Sequence, residues 1–260
     1  MGTPIIRCLR QVASFAGRAG AADAPGALRA IGEAACDARA DAPLHLVLSA
    51  AWGVEDEGAD LIRRALVLCA DHELNASTFA VRVVASTGAV LAHCLLAGLG
   101  ALSGPRHGGM TDRVRGLLGA APDALAVRAA AGEELPGFGH RLYPEGDPRA
   151  AALLSAFPAG PACRRLFASV EKLTGLQPNI DAALVALEEY LALPDGSALA
   201  MFAVGRSAGW IAHALEQQSQ GQLIRPRAVY AGVEPGAGKA EAFPFALNSP
   251  GHPTIGDGRR

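Results

Sequence analysis

The chain has 260 residues, half of them apolar, with 23 basic and 25 acidic side chains for a formal net charge of −2. That composition excludes a disordered chain, and without a dense Lys/Arg block it gives nucleic acid no phosphate-tracking surface. The five cysteines are scattered without a CxxC pair, so no zinc or redox motif is present and they read as reduced, buried thiols of a cytoplasmic protein.

From the N-terminus, Arg7, Arg10 and Arg18 are not followed by an apolar run with a small-residue cleavage site, so no secretory leader is expected. Ala-rich segments with helical spacing of apolar residues follow at 25–40, 59–70, 76–102, 111–120, 150–156, 163–173, 181–192 and 198–218, while β-branched alternation is scarce. The expected class is all-α. Within the third segment, residues 83–102 are long enough to cross a membrane, but Ala, Gly, Ser and Thr dominate and no aromatic belt flanks them. A buried core helix is expected there, and no membrane partner. The glycine run at 98–104 matches neither a dinucleotide fingerprint nor a phosphate loop.

Gly/Pro breaks separate these segments and carry most of the chemistry-bearing residues. Residues 103–109 read SGPRHGG, 136–141 read PGFGHR with DPRA at 147–150, and 178–181 read PNID. Upstream, DHELNAST spans 71–78, and downstream GRSAGWIAH spans 205–213 with LIRPR at 223–227. Any one of these has a plain explanation. A lone histidine is most often a satisfied core or capping residue, Asp181 alone would cap the helix it begins, and an arginine is most often half of a surface ion pair.

Together, in this order, the phrases resemble the citrate synthase family from about Ala59 to Gly232. The resemblance implies a multi-helical fold with a large and a smaller helical domain and the active site in the cleft between them. It divides the chain into an N-terminal helical segment at 1–58, reduced relative to the family, a motif-bearing region at 59–232 and an irregular tail at 233–260. It also implies that His107, His140 and Asp181 form a catalytic triad. Asp181 takes a proton from acetyl-CoA, His107 holds the thioester oxygen, and His140 polarises the ketone of oxaloacetate. His72, Arg149 and Arg206 are implied as oxo-acid ligands, and Arg225 as a residue reaching a neighbouring subunit's site, which makes the expected assembly a homodimer. Gly137, Phe138, Gly139 and Arg141 are implied to receive acyl-CoA, a co-substrate; no tightly bound cofactor or metal is implied.

The chain departs from the family's pattern at Pro144-Glu145, where a basic residue is common, and at Met110-Thr111-Asp112 after the HGG phrase. Condensation of acetyl-CoA with oxaloacetate is the expected activity. The alternatives are a 2-methylcitrate synthase, a citryl-CoA lyase or a catalytically silent paralogue that binds a metabolite.

Overall fold

Three polar residues set the starts of helices that matter for the site. Asn75, Asp147 and Asn179 each turn a side-chain oxygen onto a backbone N–H of the following first turn, at 2.9, 3.0 and 3.0 Å. These bonds satisfy donors that a helix N-terminus leaves without partners. Prolines at the first turns of three further or overlapping helices, Pro122, Pro148 and Pro161, use positions where no N–H is needed.

The computed structural model describes residues 7, 8, 10–12, 24–229, 231 and 232. Its helices are α1 (Ala24–Cys36), α2 (Leu44–Ala51), α3 (Asp56–Cys69), α4 (Ala76–Ala85), α5 (Leu91–Leu102), α6 (Met110–Arg115), α7 (Pro122–Ala130), α8 (Pro148–Leu154), α9 (Pro161–Thr174), α10 (Ile180–Tyr190) and α11 (Ser197–Gln220). Among the described residues no strand forms, so the architecture is all-α as expected. The chain separates into two units, Met1–Ile224 and Arg225–Arg260. The first holds all of these helices, and the described residues of the second are irregular. The expected tail at 233–260 lies outside the described residues.

Burial follows from the sequence. In α10 every position from Ala182 to Glu188 is buried, and α11 is buried along most of its length, so these two helices have apolar surface on all sides and occupy the centre. The main core gathers α3, α4, α5, α10 and α11 around Trp210, Leu95, Leu99, Ile62 and Leu184. A smaller cluster of Leu117, Leu125, Leu135, Phe138, Leu166 and Val170 joins α7 and α9.

Two expected elements are corrected. The apolar segment 76–102 is not a single helix: α4 stops at Ala85, Gly88 takes a left-handed φ of 80°, and α5 starts at Leu91. The stretch 83–102 therefore cannot be a continuous span. Helix α11 is long and apolar enough by length and composition to cross a membrane, but 78% of its apolar window is buried inside the protein, and it carries the buried Arg206. The segment expected at 111–120 is helical only over Met110–Arg115, whereas α2 and α7 were not anticipated.

Candidate active site

In an otherwise helical unit, one short antiparallel bridge, Phe138 to Pro178, joins two of the motif loops. The N–H of Gly139 donates to Gln177 O (2.9 Å), the N–H of Asn179 to Gly137 O (2.8 Å), and the Asn179 amide to Gly139 O (3.2 Å). Gly137 and Gly139 have φ of 85° and 69°, which side chains rarely adopt, and a Cβ on Gly137 would lie 2.4 Å from Val114. The glycines thus let the loop ending in His140 lie against the start of α10, where Asp181 sits.

Asp147 ties a third segment to the same place. Its buried carboxylate accepts the backbone N–H of Ile180 (3.0 Å) as well as Nε and a terminal nitrogen of Arg149 (2.9 and 2.8 Å). Burial alone would raise the Asp147 pKa, but the Arg149 hydrogen bonds, its charge and the two backbone donors outweigh that and hold it below the usual range. A charge so heavily bonded works as a fixed strut between α8 and α10.

His107 hangs from the other side. Its Nε2 lies 2.8 Å from the hydroxyl of Ser77, which also accepts the indole N–H of Trp210 (3.2 Å) and donates to Asn75 Oδ1 (2.9 Å). Ser77 and Trp210 are fully buried, so α4 and α11 together fix this ring, and Phe202 packs edge-on to it at 5.9 Å. His140 accepts the N–H of Leu142 on Nδ1 (3.1 Å). Its neutral form therefore carries the proton on Nε2.

Helix α11 supplies a guanidinium with no solvent exposure. Arg206 donates Nε–H to Cys69 O (2.8 Å), while both its terminal nitrogens are buried without a protein partner, as is His72 Nε2. Buried donors of this kind are costly unless a ligand meets them.

The six residues expected at the heart of the site, His72, His107, His140, Arg149, Asp181 and Arg206, all line one cavity of about 360 Å³. The His72 ring meets His140 edge-on at 4.8 Å, and Tyr143 lies 5.6 and 5.0 Å from the two rings, with the Arg149 guanidinium 5.8 Å from its own. Leu74, Leu142, Ile180 and Phe202 form apolar wall. Burial first, then the nearby arginines, lowers His72 to about 4; burial and Arg206 do the same for His107; and burial and Arg149 lower His140. All three are neutral imidazoles at pH 7. Asp181 moves the other way: burial raises it to about 7, with Arg149 opposing and Asp147 adding to the shift. The site thus holds a carboxyl group poised near neutrality, neutral donors and fixed cations.

The other expected residues are not in the cavity wall. Gly137 and Gly139 act through the bridge, and the Phe138 side chain is buried against Phe167 at 5.8 Å. Arg141 is exposed, and Arg225 is exposed in the second unit. Asn75, Ser77, Tyr143, Asp147 and Phe202 were not singled out from the sequence, although the first two lie in DHELNAST and Asp147 opens DPRA. Among the described residues no three His, Cys, Asp or Glu side chains are grouped as around a metal ion.

Fold and cavity together define a class: an all-helical protein with a cavity lined by two arginines, three histidines and a carboxyl group of raised pKa. The model of the citrate synthase C-terminal domain matches residues 29–227, and the chain belongs to the citrate synthase family. It is 38% identical over 187 residues to putative citrate synthase 2 of Mycobacterium tuberculosis, covering 65% of this chain and 50% of that one. It is 33% identical over 210 residues to 2-methylcitrate synthase 1 of Corynebacterium glutamicum, covering 72% and 55%. The chain spans about half the length of the curated relatives it matches. The structure of Thermoplasma acidophilum citrate synthase in ternary complex with carboxymethyl coenzyme A and oxaloacetate superposes with a TM-score of 0.73 at 27% identity, covering 94% of this chain and 76% of that one.

Proposed function

We propose that the protein condenses acetyl-CoA with oxaloacetate and hydrolyses the resulting citryl-CoA to citrate and CoA. The observation that carries this reading is the buried Arg206, whose terminal nitrogens lack partners in the same cavity as the raised carboxyl of Asp181. A guanidinium in that state calls for a carboxylate, bound through paired hydrogen bonds. A base near pH 7 beside it suits removal of a weakly acidic C–H proton.

Asp181 takes a proton from the methyl carbon of the thioester, and the electron pair moves toward the thioester oxygen. His107 donates to that oxygen. For this the Ser77 hydroxyl turns its single proton from Asn75 Oδ1, to which it donates at 2.9 Å, onto His107 Nε2, leaving the proton of the neutral ring on Nδ1. The enol carbon then attacks the ketone carbon of oxaloacetate, and the developing alkoxide is met by the Nε2–H of His140. Arg149, Arg206 and His72 hold the carboxylates. Water adds its hydroxyl to the thioester carbon of citryl-CoA, and CoA leaves as the thiol.

The reading extends to a cytoplasmic homodimer in which Arg225 reaches the neighbouring site, with acyl-CoA received along 137–141 through Gly137, Phe138, Gly139 and Arg141. A second substrate is supported by the C. glutamicum relative, named as a 2-methylcitrate synthase. One added methyl group is discriminated by only about 1–3 kcal/mol.

Thiol detection of released CoA tests the reading. CoA release that requires oxaloacetate together with acetyl-CoA or propionyl-CoA is the expected result, and the ratio of the two kcat/KM values assigns the acyl group. Cleavage of citryl-CoA to acetyl-CoA without hydrolysis identifies a lyase instead. Binding of oxaloacetate without CoA release from either thioester identifies a silent paralogue.

A further inference from the structure

Helix α11 touches the segment before His72 at successive residues. Arg206 donates Nε–H to Cys69 O at 2.8 Å. Gly209 lies so close to Ala70 that a Cβ there would be 2.1 Å from the Ala70 carbonyl oxygen. His213 Nε2 lies 3.1 Å from Asp71 Oδ1. Positions 206, 209 and 213 fall on one stripe of a helix, and they meet 69, 70 and 71 in order. The next residue is His72, with its buried, unpartnered Nε2.

The hydrogen-bond direction at His213 is fixed by chemistry. Its Nδ1 is 3.0 Å from Arg82 Nη1, and a guanidinium only donates, so Nδ1 accepts and Nε2 carries the proton toward Asp71. Arg82 is held in turn by Gln217 (3.0 Å), Gln220 (3.4 Å) and Glu216 of α11. This network lies outside the wall of the cavity.

We propose that α11 sets the placement of His72, with Gly209 and His213 as positioning residues for the subsite that receives the oxo acid. The proposal rests on the functional reading above for the identity of that ligand, not for the geometry. Displacing 70–72 separates His72 from Arg206, whose spacing decides whether both meet one carboxylate, whereas His107 is held through Ser77 of α4 and Trp210 of α11 by bonds that do not involve 70–72. The effect therefore falls on one substrate only.

His213→Leu removes both hydrogen bonds, and His213→Gln restores one acceptor and one donor. In His213→Leu the dissociation constant for oxaloacetate by calorimetry is expected to rise about tenfold or more, with the acetyl-CoA KM unchanged. The His72 ring, followed by NMR, is expected to titrate closer to the ordinary histidine value than its about 4 in the parent protein. His213→Gln is expected to return both toward the parent. If His213→Leu does not fold, Asp71→Ala, at a side chain 64% exposed, tests the same link. A variant with lower thermal stability but unchanged oxaloacetate affinity and His72 titration overturns the proposal. A parent protein that binds no oxaloacetate overturns the functional reading, and the His72 titration then still decides the positioning role.

Discussion

Asp181→Asn is expected to lower kcat by about 10³-fold, the contribution of a positioned general base, while making the folded protein more stable above neutral pH. The second effect follows from linkage. In the folded state Asp181 titrates at about 7, whereas an unfolded aspartate titrates at about 3.9. The folded state therefore binds the proton more tightly, and stability falls as pH rises from about 4 to about 7, above which the ionised carboxylate carries its full burial penalty. The gap between those values corresponds to about 4 kcal/mol; partial access through the cavity reduces it, so the variant is expected to gain about 2–4 kcal/mol at pH 8 and little at pH 4. Asparagine preserves the shape, and the backbone N–H of Asp181 keeps its bond to Asn179. Denaturant titrations at the two pH values, beside a CoA-release assay, check both parts. A variant that loses activity and stability together would mean that the carboxylate holds the fold.

Arg206→Met carries the second large effect. Two unpartnered terminal nitrogens give the cavity a planar pair of donors, whereas Arg149 already gives Nε and a terminal nitrogen to Asp147. Their loss is expected to weaken oxaloacetate binding by about 10²-fold, within the 2–5 kcal/mol typical of truncating a buried charged contact. Ligand-induced thermal stabilisation reads this directly. Oxaloacetate at a hundred times its dissociation constant stabilises the parent by about 2.7 kcal/mol, and the same concentration would stabilise the variant by only about 0.4 kcal/mol. Arg206→Lys is expected to resemble Arg206→Met, because an ammonium on a shorter reach cannot make the paired contact or keep the Nε bond to Cys69.

Much of this was legible in the sequence because the informative signals are local. Helical spacing of apolar residues marks α10 and α11, and Gly/Pro breaks mark loops where His107, His140 and Asp181 lie. The break between α4 and α5 was hidden because Ser86, Thr87 and Gly88 interrupt the run without adding charge. Helix α7 buries only Leu125, so it has no apolar stripe to read, and α2 is too short to show one. Least legible were contacts between distant residues. Ser77 meets Trp210 across 133 positions, and Asp147 meets Ile180 across 33. No periodicity records such pairings, although they decide which nitrogen of an imidazole faces the cavity and how far Arg149 stands from Asp181.

The pH dependence of kcat/KM for the acyl-CoA tests the central claim most directly, since it reports groups of the free enzyme. His72 and His107 titrate at about 4, burial and Arg149 lower His140, and burial raises Asp181 to about 7, so the Asp181→Asn profile identifies the group behind a limb near neutrality. The predicted profile rises about tenfold per pH unit on the acid side, levels off above an apparent pKa near 7, and loses that limb in Asp181→Asn. A profile that is flat from pH 5 to 8, or a limb near 7 that survives in Asp181→Asn, would contradict the assignment of Asp181 as the base.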